Sequence, residues 1–560
     1  MMLKKVLIAN RGEIACRIMR TAQMMGIETV AVYSDADAQA VHVTLADHAV
    51  NIGPGPAADS YLRIDKVIAA ALEAGADCIH PGYGFLAENP SFAEACHEAG
   101  LVFIGPSGDA MRALGGKAQA KELAIAAGVP VVPGYQGDDQ GADLLQDRAN
   151  AIGYPVMIKA VSGGGGRGMR LVTEASQFQT ALESAQREAA AAFGDPRVLI
   201  EKFVDRPRHI EVQVFGDSHG NVVHLFERDC TLQRRNQKVV EEAPAPGMSD
   251  ELRQDMTSAA VQLARSVGYE GAGTVEFLVE GGDLGANAPW YFIEMNTRLQ
   301  VEHPVTEAIT GLDLVEWQFL VAGDEALPLE QDDIAFGGHA IEVRLCAEDP
   351  AADFAPSTGK IVEFDYLDDE GLRVESGVEP GSVISPYYDS MIAKVIRVDV
   401  DRGATLDALQ LDLEDIDVLG VKTNLAFLHA LLNDDDVVNG DLWTGLIAER
   451  LPQLVSSQVS PTAIAAGVRA LLENERLAHV PDTVAEPWSQ DDGFQLGGLR
   501  QISRVVLANG QSHDVTMTWQ QGLISFRVDG EQAGTAHSEV DSDEFVTPEH
   551  ELGPLVEVED

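Results

Sequence analysis

Two hydrophobic rhythms alternate along the first 115 residues. Compact apolar runs at Val6–Ala9, Thr29–Val32, Cys78–His80 and Val102–Gly105 have the length and flanks of buried strands. Between the first two, Ile14, Ile18 and Met25 recur at helical spacing until Gly26 stops the segment, and a second helical stretch covers Phe92–Ala99. Strand–helix–strand repetition of this kind predicts a doubly wound parallel sheet. From Gly116 the pattern becomes strand-rich with long insertions, and beyond about residue 335 short alternating runs such as Ala340–Leu345 and Ala393–Val398 predict antiparallel pairing. After Arg450 a helical stretch, Ala463–Leu472, precedes alternating strands with hairpin signals at Asn509-Gly510 and Asp529-Gly530. The expected class is α/β and α+β multidomain, with segments 1–115, 116–335, 336–450 and 451–560. Several domains also follow from length, because 560 residues exceed what one core supports, ~250–300.

Charge narrows the partners. There are 89 acidic against 39 basic side chains, a net −50, which repels phosphate backbones and anionic lipid. Neither a nucleic acid nor a membrane is an expected partner, and an anionic substrate needs a local basic cluster. The five cysteines are dispersed without C-x-x-C spacing, which suits a reducing compartment. With no secretory leader pattern and no run of 18 apolar residues, the expected location is cytoplasmic.

The strongest chemical signal is Lys159-Ala-Val-Ser-Gly163-Gly164-Gly165-Gly166-Arg167-Gly168-Met169, directly after the apolar run Pro155–Ile158. Consecutive glycines let backbone N–H groups approach phosphate oxygens and let a loop open and close, and Lys159 supplies a point charge. The order differs from a P-loop, and the turn Ala9–Glu13 lacks G-x-G-x-x-G, so a dinucleotide role is not expected. Glu201-Lys202-Phe203-Val204, after the strand Arg197–Ile200, has the form of a segment that offers backbone groups to an adenine edge, although an ordinary edge strand reads the same way alone.

Two further strands, Thr274–Leu278 and Trp290–Asn296, flank a turn-rich connection. If they pair, Glu276 and Glu294 share a face, and with Asn296 they offer hard oxygen ligands to Mg²⁺ or Mn²⁺. The next residues alternate so that Arg298, Gln300 and Glu302 share one face of an extended segment. Arg298 and Lys238 can hold bicarbonate, and Glu302 can take its proton.

The stretches IANRGEIACRI, HPGYGFLAEN, KAVSGGGGRGM, ERDCTLQRRNQK, EEAPAPG, FIEMNTRLQVEHPVTE, HAIEVRLCAEDP and SPYYDSMIAKV, in that order, resemble the biotin carboxylase component of biotin-dependent carboxylases, an ATP-grasp fold. The resemblance runs from Lys4 to about Arg450. It implies an N-terminal biotin carboxylase domain at 1–115, an ATP-grasp domain at 116–335 with a lid at about 131–205, and a C-terminal domain at 336–450. It implies that ATP meets Lys117, Lys159, Gly165, Gly166, Met169, the segment Glu201, Lys202, Phe203, Val204, and also His209, Gln233, Asn236 and Leu278. The same resemblance gives Glu276, Glu294 and Asn296 to the metal, Lys238, Arg298, Gln300 and Val301 to bicarbonate, and Glu302 the part of base. Arg344 would stabilise the biotin enolate. Asn236 departs from the family's usual histidine, which implies somewhat weaker nucleotide binding. The tail resembles that of the α subunit of 3-methylcrotonyl-CoA or geranyl-CoA carboxylase, where it docks a carboxyltransferase β subunit in a hetero-oligomer. No methionine-flanked lysine marks a biotinyl carrier domain, so biotin is expected on a segment beyond this sequence or on another protein. The rival readings are a subunit of acetyl- or propionyl-CoA carboxylase, an ATP-grasp ligase with an amine acceptor, and a silent scaffold lacking the base.

Overall fold

The computed structural model describes residues 3–161, 169–193, 195–235, 237–282, 284–455, 459–478, 500–508, 511–520, 523–537 and 545–546. Two compact units divide the chain, 1–454 and 455–560.

The first unit begins with the parallel sheet that its hydrophobic runs predict. Strands β1 (Lys5–Ile8), β2 (Glu28–Ser34), β3 (His48–Gly53), β4 (Cys78–His80) and β5 (Val102–Phe103) lie in the order β3-β2-β1-β4-β5, with helix α1 (Gly12–Met24) following β1. The strand order reverses between β1 and β4, and the chain leaves both strands there in irregular backbone. Asn10 ties the two exits together, its amide donating to the carbonyls of Pro81 (2.8 Å) and Tyr83 (2.7 Å). Gly82 at φ +62° makes this approach possible, because a Cβ there would lie 2.8 Å from Asn10 Nδ2.

A four-stranded antiparallel sheet follows, built from β6 (Gly134–Tyr135), β7 (Val156–Ala160), β8 (Arg170–Val172) and β9 (Val198–Lys202). Lys159 lies inside β7 and not after it, opposite Leu199 of β9. Its side chain is aimed by the pleat toward Glu201, two residues along β9. The alternation of buried and half-buried positions in β7 and β9 packs Val156, Ile158, Val198 and Ile200 against Leu145, Phe178 and Leu182 of two covering helices.

The centre is one eight-stranded sheet. Its strands are β10 (Arg208–Gly216), β11 (Val222–Arg234), β12 (Gln237–Ala243), β13 (Gly271–Val279), β14 (Trp290–Asn296), β15 (His339–Cys346), β16 (Leu372–Ser376) and β17 (Met391–Asp399). They run in the order β14-β13-β10-β11-β12-β15-β17-β16. Hydrogen bonding is therefore continuous across residue 335, through the pairing of Val240 with Val343. Every residue of β10 is buried, so this strand is covered on both faces. Helix α2 (His303–Thr310) starts just after β14 and lies against β15 and β17.

The second unit packs helix Pro461–Ala478 on a five-stranded antiparallel sheet. Ile464, Ala465 and Val468 meet the alternate positions Val515, Met517, Trp519, Phe526 and Val528. Asp529 (φ +50°) and Gly530 (φ +88°) form the expected tight hairpin, whereas Asn509-Gly510 lies outside the described residues. Among the described residues, no helix is long and apolar enough to cross a membrane.

Candidate active site

Sheet register builds the site. Arg228 of β11, Glu211 of β10, Glu276 of β13 and Glu294 of β14 are successive cross-strand partners, so four charged side chains stand in one row. The expected pairing of Glu276 with Glu294 is therefore present. Asn296 adds its amide 2.7 Å from Glu276 Oε1, while His209 Nε2 lies 3.0 Å from Glu276 Oε2. Gln233 approaches the other ring nitrogen of His209 at 2.5 Å. Leu278 is the register partner of His209.

Lys238 is the hub. Its ammonium donates to Glu302 Oε1 at 2.6 Å, Glu276 Oε1 at 3.0 Å and Gln300 Oε1 at 3.3 Å, and it also contacts Glu211. Burial pushes Lys238 down, but Glu211, Glu302 and Glu276 outweigh it and hold the ammonium well above its ordinary range. The acids respond in turn. Burial alone would raise Glu276 and Glu302, yet Lys238 with His209 lowers the first, and Lys238 with Arg344 lowers the second.

Glu302 also accepts from Arg344 at 3.0 Å, and Arg344 is anchored behind by Glu241 at 2.7 Å. Arg298 goes elsewhere. The segment is not one extended face: it turns at Val301 and Glu302 into α2, so Gln300 and Glu302 meet Lys238 while Arg298 donates to Glu88 at 2.9 Å and reaches Asn296 Oδ1 at 3.4 Å. Glu211, Glu241 and Glu88 were not singled out from the sequence. Glu211 carried a signal, the two-residue spacing from His209 along one strand face.

A cavity of about 460 Å³ adjoins this cluster. Arg298, Val301 and Arg344 form one wall, Asn10–Ile14 and Tyr83–Phe85 another, and Tyr387–Asp389 with Met391 a third. It lies where β1 and β4 end, at the point where the parallel sheet reverses, which is where ligands of such sheets bind. Its size suits a small heterocycle.

The nucleotide residues are more scattered. Lys159 pairs with Glu201 at 2.7 Å, and Lys121 approaches the other oxygen of Glu201 at 3.3 Å. Lys202 donates to the carbonyls of Gly153 and Tyr154, Val204 is buried, and Phe203 N–H donates to Pro155 O. Met169 immediately precedes β8. Gly165, Gly166 and Asn236 lie outside the described residues, as does the side chain of Lys117 at the start of its helix.

The donors expected for a divalent cation are all oxygen, and the low range of Glu276 keeps it ionised, so the set fits a hard cation. Among the described residues, the histidine, cysteine and carboxylate groups whose ligand atoms lie within 4.8 Å of one another are His209, Glu211 and Glu276, and Glu211, Cys230 and Glu302; neither contains Glu294.

Three family models match the chain: biotin carboxylase, N-terminal domain, over 2–111; carbamoyl-phosphate synthase L chain, ATP binding domain, over 116–330; and biotin carboxylase C-terminal domain over 342–449. The mitochondrial methylcrotonoyl-CoA carboxylase subunit alpha of Dictyostelium discoideum is 49% identical over 496 residues, 88% of this chain and 70% of that protein. The biotin carboxylase–β,γ-ATP complex from Campylobacter jejuni superposes with a TM-score of 0.74 at 44% identity, covering 80% of this chain and 99% of that one. The biotin carboxylase domain dimer of Hydrogenobacter thermophilus 2-oxoglutarate carboxylase, in complex with MgADP, ADP and bicarbonate, gives 0.74 at 45% identity, covering 82% and 100%. The chain belongs to the biotin carboxylase family, ATP-grasp ligases that carboxylate biotin at the expense of ATP.

Proposed function

We propose that Lys238, Gln300 and Val301 hold bicarbonate, with Arg298 at the rim, while Glu302 removes its proton. The freed carbonate oxygen attacks the γ-phosphorus of ATP, the bond to the ADP oxygen breaks, and the proton stays on Glu302. Lys117, Lys159, the glycine run with Met169, and Glu201 to Val204 bind the nucleotide, together with His209, Gln233, Asn236 and Leu278. Mg²⁺ or Mn²⁺ held by Glu276, Glu294 and Asn296 would neutralise phosphate oxygens. The C–O bond of the carboxyphosphate then breaks to give CO₂ and inorganic phosphate, the phosphate takes the ureido N–H proton of biotin, and the resulting biotin enolate attacks CO₂ in the cavity beside Arg344, whose guanidinium faces its negative charge. The observation that carries this reading is that Arg344 both bonds the buried Glu302 and lines the cavity, so one side chain joins the proton acceptor to the second substrate's space. Bicarbonate-dependent ATP cleavage, accelerated by free biotin, tests it. Cleavage indifferent to bicarbonate would refute it.

We further propose that the chain serves as the α subunit of an acyl-CoA carboxylase of the 3-methylcrotonyl-CoA or geranyl-CoA type, working with a biotinyl carrier domain and a carboxyltransferase β subunit in a hetero-oligomer. An acetyl- or propionyl-CoA acceptor is the alternative. The likeness to the alpha subunit named above supports the first, and the second unit, a helix on a sheet with its own core, suits docking. Co-purification of the full chain with a β subunit checks this. A cytoplasmic location is proposed on the five cysteines, all free and buried.

A further inference from the structure

Beside the site lies a second buried cation with no part in the reaction as described. Lys394 of β17 is fully buried and is the register partner of Arg344. Its ammonium donates to the Val301 carbonyl at 3.0 Å and lies 2.6 Å from Glu375 Oε2 and 3.4 Å from Glu13 Oε2. The hydrogen bond goes to the turn before α2 and the two ion pairs to α1 and β16, three stretches far apart in the chain. Burial pushes Lys394 down, but Glu13 and Glu375 outweigh it, so the group stays charged.

The turn is held at a second point. His303 Nδ1 lies 2.7 Å from the Gln300 carbonyl, which can only accept, so this nitrogen carries the proton. Both carbonyls that precede Glu302 are thus tied to buried side chains. Because the peptide unit is planar, fixing the Val301 carbonyl also fixes the N–H of Glu302 and the direction in which the chain enters that residue.

We propose that Lys394 is a positioning residue for the bicarbonate step: it holds the Val301 carbonyl, and thereby sets Gln300 and Glu302 toward Lys238. The proposal rests on the reading of Glu302 as proton acceptor. A misplacement of about 1 Å in such a site costs on the order of 100-fold in rate, and the nucleotide residues on β7 and β9 make no contact with Lys394 among the bonds described.

The test is steady-state ATP cleavage by the full chain, with KM measured separately for bicarbonate and ATP. Lys394→Met is expected to raise the bicarbonate KM at least about tenfold and leave the ATP KM within about twofold. Lys394→Arg, which keeps charge and donors, brings the bicarbonate KM back to within about threefold of the parent. Should the methionine variant fail to fold, Lys394→Met with Glu375→Gln removes one buried charge of each sign and carries the same expectation. An unchanged bicarbonate KM in either folded variant overturns the proposal, as does a parallel rise in both constants. Glu302→Gln measured alongside separates the two readings: turnover in that variant removes the base assignment, whereas its inactivity beside a normal Lys394→Met removes only the role of Lys394.

Discussion

Lys238 and Lys394 stand on the same sheet among carboxylates, yet they are bonded in opposite ways. Four oxygens, from Glu211, Glu276, Gln300 and Glu302, compete for the three N–H donors of Lys238, and all four belong to side chains. Lys394 donates one hydrogen bond, to the main-chain carbonyl of Val301, and has the carboxylates of Glu375 and Glu13 as ion-pair neighbours. An oversubscribed cation can exchange a partner for an incoming anion with little loss. A cation that holds a buried main-chain carbonyl cannot, because giving up that bond leaves the carbonyl without its donor. Exposure agrees: the Lys238 side chain is 12% accessible, that of Lys394 0%. The difference separates a group that handles substrate from one that holds geometry.

The largest expected effect falls on the Lys238 side. Glu302→Gln keeps size and one acceptor oxygen, but its NH2 cannot accept from Lys238 or Arg344 and the amide cannot hold the proton of bicarbonate, so bicarbonate-dependent ATP cleavage should fall by about 10³–10⁴-fold, near the upper range for a positioned base. Nucleotide binding, followed by calorimetry, should persist. Near-normal cleavage would move the base elsewhere. On the Lys394 side the expected effect is on stability. Arg17 of α1 reaches Glu307 and Asp313 at 2.8 Å each and Glu375 at 3.3 Å, all from a side chain that is only 6% exposed. Arg17→Met takes one cation from Glu307 and Glu375, which keep Arg373, and leaves Asp313 with Thr21 as its side-chain partner, so the cost stays below the ~3–5 kcal/mol of a buried pair broken outright. A drop of several degrees in the thermal midpoint, with the KM for ATP retained, is expected; an unchanged midpoint would show that the network is not what joins these stretches.

The two regions differed as much in how far the sequence revealed them. Glu276 and Glu294 lie in alternating strands whose pairing needed only a hairpin, so their shared face was legible. The N-terminal strands were found within a residue or two, except β3, whose exposed edge gives little apolar signal. Glu211 escaped because β10 is buried on both faces, so its spacing from His209 stood without the polar and apolar alternation that marks an inward acid. The shared face of Arg298 with Gln300 and Glu302 does not form, because nothing in the alternation of 298–302 reports the turn that begins α2. Lys394 was not legible as a site residue, since its partners lie 19, 93 and 381 residues away. Only tertiary packing brings Glu13, Val301 and Glu375 to it.

The smallest effect concerns the acid that Arg344 holds on its far side. Glu241 and Glu302 share that guanidinium but are shifted in opposite directions. Lys238 and Arg344 outweigh burial at Glu302, whereas at Glu241 burial prevails over Arg344 and the carboxyl is pushed up to about 7. Glu342, opposite Glu241 across β12 and β15, is raised further by burial. The sign follows from linkage. An ordinary glutamate titrates near ~4.3 in the unfolded chain, so between there and about 7 the folded protein binds the extra proton. The stability contributed by Glu241 is therefore fully present below the lower value and is lost as pH rises through the upper one. Glu241→Gln mimics the protonated acid at every pH and removes that loss. Its unfolding midpoint should match the parent's at pH 4.5 and exceed it at pH 8 by the equivalent of roughly 1–2 kcal/mol. A variant that loses ground as pH rises would mean that Arg344 outweighs burial at Glu241 and holds its carboxyl below the ordinary range, so that two carboxylates clamp the guanidinium across the whole span.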